Sequence, residues 1–536
     1  MDSKDEETRK ENGIIDKIKK MDRRTFIKGA ATAALTAGFA GTARADDDRW
    51  DDDDDKKWGK KNYGRPHKRH HRLLPHPKIY ARRGTERFWR KVRRTFLLHN
   101  DYIHMNTGTT GSQPQFSLNN LGVYNMYKSM DPRDWQDNLN EDYPELFPLA
   151  SGIFGPSAMA ARQQDVADMY GANPDEIVLS YNTTDACNLT FAGTPWNSGD
   201  RIITTSWEHP ALIGPINWAR DYHGVEVRIV NLPSNFTDTI TVGDVLDLFE
   251  IELQQPLGPG NKQYIAVSEI FYKNGLRLPV RALGALARDY GAYSIIDTAH
   301  GWGMIPIHCH DYGVDFIAGA GHKWLCGGPG TGIYYVRNSG DNLPPFNMGN
   351  WFLYGFAWFA PAPSIHYDNR NWSPAGLMQI RGEVNSPALY AMTDSASYWS
   401  YLDLEDLYDR GVALGNYLKD KVADMWGKEA LWVQKNPNPA FATFLTSFNP
   451  FAGKDDSSKY GEISAAISDV LGALADGDPK VYIRSVSWRD QVSDASSNRI
   501  GFRVSTHAVY NNYEEIDVMF DRLLEAVDAT GLPQLG

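Results

Sequence analysis

Three cysteines in 536 residues are too few for a disulfide scaffold. Cys187, Cys309 and Cys326 could form one bridge at most and would leave one thiol over. No Cys-x-x-Cys pair occurs, which removes zinc ribbons and thioredoxin-type sites. No apolar run reaches the roughly 18–20 residues that a spanning helix needs, so the mature chain is expected to be soluble, without stable membrane insertion. Excess positive charge is missing too, and a formal net charge of −12 argues against nucleic-acid binding. Internal repeats are absent. What is there is an ordinary globular composition, 42% hydrophobic and 23% charged, long enough for two or three domains.

The N-terminal region reads as a targeting segment. Asp22-Arg23-Arg24-Thr25-Phe26-Ile27-Lys28 precedes a mildly apolar stretch, Gly29 to Ala40, and then Ala43-Arg44-Ala45, a small-residue cleavage site. The Arg23-Arg24 pair with Phe26 resembles a twin-arginine export signal. That implies passage through the twin-arginine machinery to the periplasm or another exported location. Residues 46–55 are nearly all Asp and residues 56–94 strongly basic, a pattern of a solvated arm. His67, His70, His71 and His76 could hold a metal there, but a basic linker is the plainer reading and no metal is assigned. A helical pattern runs from Thr85 to Leu98. The expected divisions are 1–45 signal peptide, 46–98 linker and N-terminal helix, 99–345 large domain, and 346–536 aromatic insertion plus small C-terminal domain.

From residue 156 helices and strands alternate. Strands are expected at Ile177–Tyr181, Arg201–Thr205, Val225–Val230, Tyr264–Ile270, Tyr293–Asp297, Phe316–Gly319 and Gly332–Val336. Helices are expected at Pro156–Tyr170, Thr184–Gly193, Pro210–Tyr222, Val242–Leu253 and Val280–Tyr290. Alternation with apolar strands implies an α/β fold, a mostly parallel sheet covered on both faces. After about residue 340 the pattern changes. Asn342–Met378 is rich in Pro, Gly and aromatics without periodicity, and helices then dominate at about 387–403, 407–426, 461–475 and Tyr513 to Thr530.

In open parallel sheets, ligands bind beyond the carboxyl ends of the strands. The polar residues just after the predicted strands form a coherent set. Thr183 and Thr184 open a helix and suit a phosphate. His209 offers a flat imidazole. Asn274, in a turn, could donate to a ring substituent. Asp297 ends a buried strand, where a carboxylate is costly unless paired. His300 follows three residues later. Lys323, in the glycine-bounded turn Ala320-Gly321-His322-Lys323-Trp324, would have a lowered pKa if desolvated, which favours Schiff-base chemistry. Taken singly, each has a plain alternative: a helix cap, a core histidine or a turn.

The stretch Ile295–Arg337, IIDTAHGWGMIPIHCHDYGVDFIAGAGHKWLCGGPGTGIYYVR, closely resembles the cofactor block of the class V aminotransferase superfamily, which includes cysteine desulfurases and isopenicillin N epimerase-like proteins. Ala161–Asn188 and Gly501–Glu525 match the family as well. The resemblance implies a pyridoxal-phosphate enzyme of fold type I, with a mostly parallel seven-stranded sheet and a smaller α+β C-terminal domain. It also implies that Lys323 carries pyridoxal 5′-phosphate as a Schiff base, that Asp297 pairs with the pyridine nitrogen and that His209 stacks on the ring. Asn274 and His300 would sit near the ring oxygen, and Thr183, Thr184 and His322 would hold the phosphate. Thr331 would reach the phosphate of a neighbouring subunit, which implies a homodimer. Arg503 would clamp a substrate carboxylate, a task suited to a planar guanidinium.

Departures from the family limit the reading. Desulfurases carry a nucleophilic cysteine shortly before the position of Arg503, whereas Tyr482–Asn498 contains none. The family's serine two residues before the His-Lys pair is Ala320. Its Gly-Thr-Pro appears as Asn385-Ser386-Pro387, after Arg381-Gly382-Glu383. The expectation is aminotransferase-like chemistry at the α-carbon of an amino acid or peptide-derived amine. Epimerisation, a desulfurase-type lyase and a non-catalytic binding protein are the alternatives. The export signal has its own test. Replacing Arg23 and Arg24 together by lysine should block export, and N-terminal sequencing of the exported wild-type protein should start at Asp46.

Overall fold

The computed structural model describes residues 72–152, 155–233, 236–345, 373–379, 382–491 and 494–536. The export segment, His67, His70, His71, Arg381 and most of the aromatic insertion lie outside them. Seven strands form the central sheet: β1 (Ile177–Ser180), β2 (Arg201–Thr205), β3 (Glu226–Val230), β4 (Gln263–Ser268), β5 (Tyr293–Asp297), β6 (Phe316–Ala320) and β7 (Gly332–Val336). Their order is β1-β7-β6-β5-β4-β2-β3. Every pairing is parallel except the two made by β7, which runs antiparallel to β1 and β6. The expected α/β fold with a mostly parallel sheet is therefore the observed one.

The strands are apolar runs because both faces are covered. Alternate residues divide cleanly. Ile177, Leu179, Ile203, Ile265, Val267, Ile296 and Ile317 enter one core, with Val166 and Tyr170 of α1 (Ala158–Tyr170), Phe249 of α4 (Val242–Leu253) and Leu283 of α5 (Val280–Asp289). Val178, Ile202, Tyr264, Ala266, Ile295, Phe316 and Ala318 enter the other, under α2 (Thr183–Gly193) and α3 (Pro210–His223). Only the edge strand β3 is half exposed. The helix expected from Thr85 ends at Arg93, with Thr85 as its N-cap, so it is shorter than the sequence pattern suggested.

Beyond the sheet, α6 (Ser386–Leu402) and α7 (Leu404–Trp426) lead to an antiparallel sheet of order β8-β10-β9, where β8 is Leu445–Phe448, β9 Arg484–Arg489 and β10 Asn498–Ser505. Helices α8 (Tyr460–Asp476) and α9 (Tyr513–Ala529) pack into the core beside it. Asn512 caps α9 by accepting from the Glu515 amide at 2.9 Å. His76, the described member of the histidine cluster, lies against the Tyr401 ring, 4.5 Å between centroids.

Helix α6 fastens the turn that carries Lys323. Ser395 Oγ donates to the Cys326 carbonyl (3.2 Å), and Met392 packs so close to Gly321 and Gly327 that a Cβ on either would collide with it. The helix is itself anchored by a buried ion pair, Arg162 Nη1 to Asp394 Oδ1 at 3.1 Å. Asp394 Oδ2 also accepts from Asn120 Nδ2 (2.9 Å) and the Tyr124 hydroxyl (2.7 Å), both on the helix Gln115–Met130. Removing one partner leaves a charge buried alone. Asp394→Ala should therefore lower the unfolding free energy by about 3–5 kcal/mol in urea titrations; a loss below about 1 kcal/mol would show that this network does not hold α6.

Candidate active site

The parallel strands end on one side of the sheet, and their trailing residues surround a cavity of about 750 Å³. Asn182–Asp185 follow β1, His209 follows β2, Tyr272 follows β4, Ala299 follows β5, and Ala320, His322 and Lys323 close β6. The opposite wall is Gly108 and Thr109 with Arg484 and Arg503 of the small sheet. Of the ten residues singled out in the sequence, Thr183, Thr184, His209, His322, Lys323 and Arg503 line this space. Asp297 and His300 lie immediately behind it.

Lys323 has a lowered pKa, about 8. Burial disfavours its ammonium, Asp297 partly restores it, and Arg503 and Arg484 oppose it further. Its Nζ lies 3.4 Å from His300 Nε2. The His300 tautomer follows from its other side. Trp324 Nε1 can only donate and does so to His300 Nδ1 (3.0 Å), which leaves the imidazole proton on Nε2, facing the lysine. Burial and then the Lys323 charge push His300 well below its ordinary value, so it is neutral.

Asp297 is 2% exposed. Its Oδ1 accepts from the Ala299 amide (2.8 Å), while Oδ2 is buried with no partner among the described residues. Burial raises its pKa to about 6. Around it, Glu269 binds the Thr298 hydroxyl (2.5 Å) and the Tyr312 hydroxyl (2.8 Å), and its amide donates to the Asp297 carbonyl (2.9 Å). Glu208 accepts from the amide and hydroxyl of Ser268, the residue paired with Asp297 across β4 and β5. Burial raises Glu208 to about 7. His209 caps α3 through Nδ1, which accepts from the Ala211 amide (3.1 Å). Burial, then Lys323 and Lys273, bring it down to about 4, so it is an uncharged flat ring at neutral pH.

Arg503, 1% exposed, has no acidic partner among the described residues. It donates to the Tyr272 carbonyl (2.7 Å), Asn106 Oδ1 (2.9 Å) and Thr109 Oγ1 (3.0 Å), and its Nε is buried without a partner. Burial, and then Arg484, lower its pKa to about 9. At the other end of the cavity the first turn of α2 presents Thr183, whose buried hydroxyl has no partner. His322 Nδ1 is likewise buried and unpaired. Helix-end amides, an unpaired hydroxyl, an unpaired imidazole nitrogen, an unpaired carboxylate oxygen and an amine form a donor set that fits a flat, phosphorylated, nitrogen-containing ring.

Two residues of the set stand apart from the cavity wall. Asn274 Oδ1 is spent on its own turn, accepting from the Leu276 amide (3.1 Å). Thr331 is fully buried and its hydroxyl donates to the Gly328 carbonyl (2.7 Å). Sequence reasoning passed over Asn106, Thr109, Tyr272, Glu208 and Arg484. The segment Asn106-Thr107-Gly108-Thr109 carries a small-residue signal that could have drawn attention. A Cβ on Gly108 would stand 2.8 Å from Ser505 Oγ and 3.2 Å from Arg503 Nη2, so a side chain there would have to displace Ser505 or Arg503.

Residues 156–517 match the family described as aminotransferase class-V. A probable cysteine desulfurase of Mycobacterium leprae is 31% identical over 248 residues, 45% of this chain and 53% of that protein. Isopenicillin N epimerase of Streptomyces clavuligerus is 25% identical over 254 residues, 46% of this chain and 56% of that protein. The chain thus spans just over half the length of these relatives. Among solved structures, the cystine C–S lyase C-DES in complex with cysteine persulfide superposes with a TM-score of 0.59 at 19% identity, covering 81% of this chain and 98% of that one.

The lowered lysine pKa has a direct readout. Because burial shifts the folded value down, the neutral amine rises from about a tenth at pH 7 to about nine-tenths at pH 9. Competitive labelling with an amine reagent, read by mass spectrometry, should show Lys323 reactivity climbing about tenfold over that range and then levelling, while exposed lysines keep climbing past pH 10. Asp297→Asn should move the Lys323 midpoint lower still.

Proposed function

For this chain, which belongs to the class-V aminotransferase family, we propose that pyridoxal phosphate held at Lys323 serves chemistry at the α-carbon of an amino acid or peptide-derived amine, with an aminotransferase-like outcome. The observation that carries the reading is the desolvated Lys323, 3.4 Å from His300 and within the field of buried Asp297, whose Oδ2 has no partner among the described residues. When bound, the cofactor supplies an electron sink for the substrate's α-carbon. The residues supply the rest. Lys323, with a pKa near 8, can both take and return a proton close to neutral pH. Asp297 is ready to accept from a protonated ring nitrogen, and a cation there would draw its own pKa back down. His209, neutral, gives a flat cover. His300 offers its Nε2 proton beside Lys323. Thr183, Thr184 and His322 suit the phosphate, and Arg503 a substrate carboxylate.

Epimerisation is the second reading, supported by the likeness to isopenicillin N epimerase. A desulfurase-type lyase is the third reading; lyase chemistry needs no relay thiol, but sulfur transfer itself has less support, because a sulfur relay needs an accessible thiolate. All three cysteines are buried, and burial raises each thiol pKa. Export through the twin-arginine route, pairing of two copies near Thr331, and the division into parts 99–345 and 346–536 belong to the same proposal.

The test is an absorption spectrum of the mature protein and its Lys323→Ala variant, before and after borohydride and with a panel of amino acids. A yellow species fixed by borohydride at Lys323 in the wild type alone, and on the order of 10²–10⁴-fold lower turnover in the variant, is expected. Oxo-acid, inverted amino acid or sulfide then separates transamination, epimerisation and lyase. A colourless wild type that added pyridoxal phosphate cannot restore would leave a non-catalytic binding protein as the reading.

A further inference from the structure

The cavity has a second arginine. Arg484 lies directly across the β9–β10 ladder from Arg503, so both side chains share one face of the small sheet. Like charges directly opposite in an antiparallel pair repel and destabilise it. Here the two guanidiniums converge. Arg484 Nη1 donates to Thr109 Oγ1 at 3.1 Å, and Arg503 Nη2 donates to the same oxygen at 3.0 Å. The cationic nitrogens are thus held at most about 6 Å apart on one neutral atom, a repulsive arrangement at any dielectric. Neither has an acidic partner among the described residues; the donors of both go to neutral oxygens. Ion pairs elsewhere show that this chain does satisfy buried arginines. Arg162 has Asp394, and Arg201 has Glu226.

The two arginines differ in depth. Arg503 is buried, while Arg484 is exposed at the mouth of the same cavity. An inner anion on Arg503 would leave Arg484 facing whatever the ligand carries outward. Resting on the function proposed above, in which Arg503 takes the α-carboxylate, we propose that Arg484 is a specificity-determining residue that receives a second acidic group of the substrate. The substrate class is then an amino acid or peptide-derived amine with two anionic ends. Thr109 sets the spacing by holding both guanidiniums.

Calorimetric titration of the full-length, cofactor-loaded protein with glutarate and butyrate tests this, because the two acids share an inner carboxylate and differ in the outer one. Glutarate should bind about tenfold more tightly to the wild type. In Arg484→Gln the two acids should come within about twofold, with butyrate affinity unchanged, and Arg484→Lys should keep part of the preference. Arg484 is exposed, so unchanged melting temperatures are expected for both variants. Equal affinities in the wild type, a preference that survives Arg484→Gln, an equal loss for both acids (two guanidiniums on one carboxylate), or no binding of either acid would overturn the proposal. Borohydride capture at Lys323 reads the function separately. Capture without a glutarate preference removes only the role of Arg484, and a preference without capture removes only the enzyme.

Discussion

Three desolvated groups without saturating partners are the constraint on which the rest of this structure turns. Lys323, Asp297 and Arg503 are all desolvated, and each keeps a polar atom or a charge that the described residues leave at least partly uncompensated. A fold tolerates such groups only when the surroundings hold them rigidly and a ligand can complete them. The surroundings do hold them. Helix α6 packs against the lysine turn through Met392 and Ser395, the Glu269 network fixes the turn after β5, and Asn106 with Thr109 cradles the guanidinium. The stability given up at the site is offset elsewhere, in a sheet whose strands are apolar on both faces.

Burial also sorts the site's protons. The same low-dielectric surroundings push the histidines down and the acids up, so His209 and His300 are neutral while Lys323 approaches neutrality. Glu208 and Asp297, both raised, lie close enough to oppose each other's ionisation. The cavity's charge therefore rests with Arg503, Arg484 and the partly protonated Lys323. That balance favours an anion at one wall and, at the start of α2, suits the phosphate proposed there.

Family membership explains the half of the site built on the large sheet. The residues proposed to hold the cofactor follow strands of one sheet, where the open α/β architecture leaves a crevice. The opposite wall of the cavity comes from elsewhere: the Asn106–Thr109 segment and the β9–β10 ladder, with Asn106 and Arg503 brought together across 397 positions. A fold hosts different chemistries by changing such edges. This wall is accordingly where the chain's own specificity is to be sought.

The sequence by itself determined the sheet and the polar residues delivered at the ends of its strands. Strands buried on both faces must be short apolar runs, and each run is followed at once by the residue it delivers, so local order along Tyr293–Asp297 or Phe316–Lys323 already states the geometry. Helix ends were legible to within a few residues because caps such as Asn182 and Asn512 are local. The opposite wall of the cavity was decided only in three dimensions. Arg503 and Asn106 touch although 397 positions separate them. Nothing near Arg484 marks it as other than a surface arginine, since its meaning comes from the register of one β-ladder and from a threonine far upstream. Charges that are unpaired in sequence are commonplace; charges that stay unpaired after folding, on one face and on one oxygen, exist only once the tertiary structure has excluded every other partner.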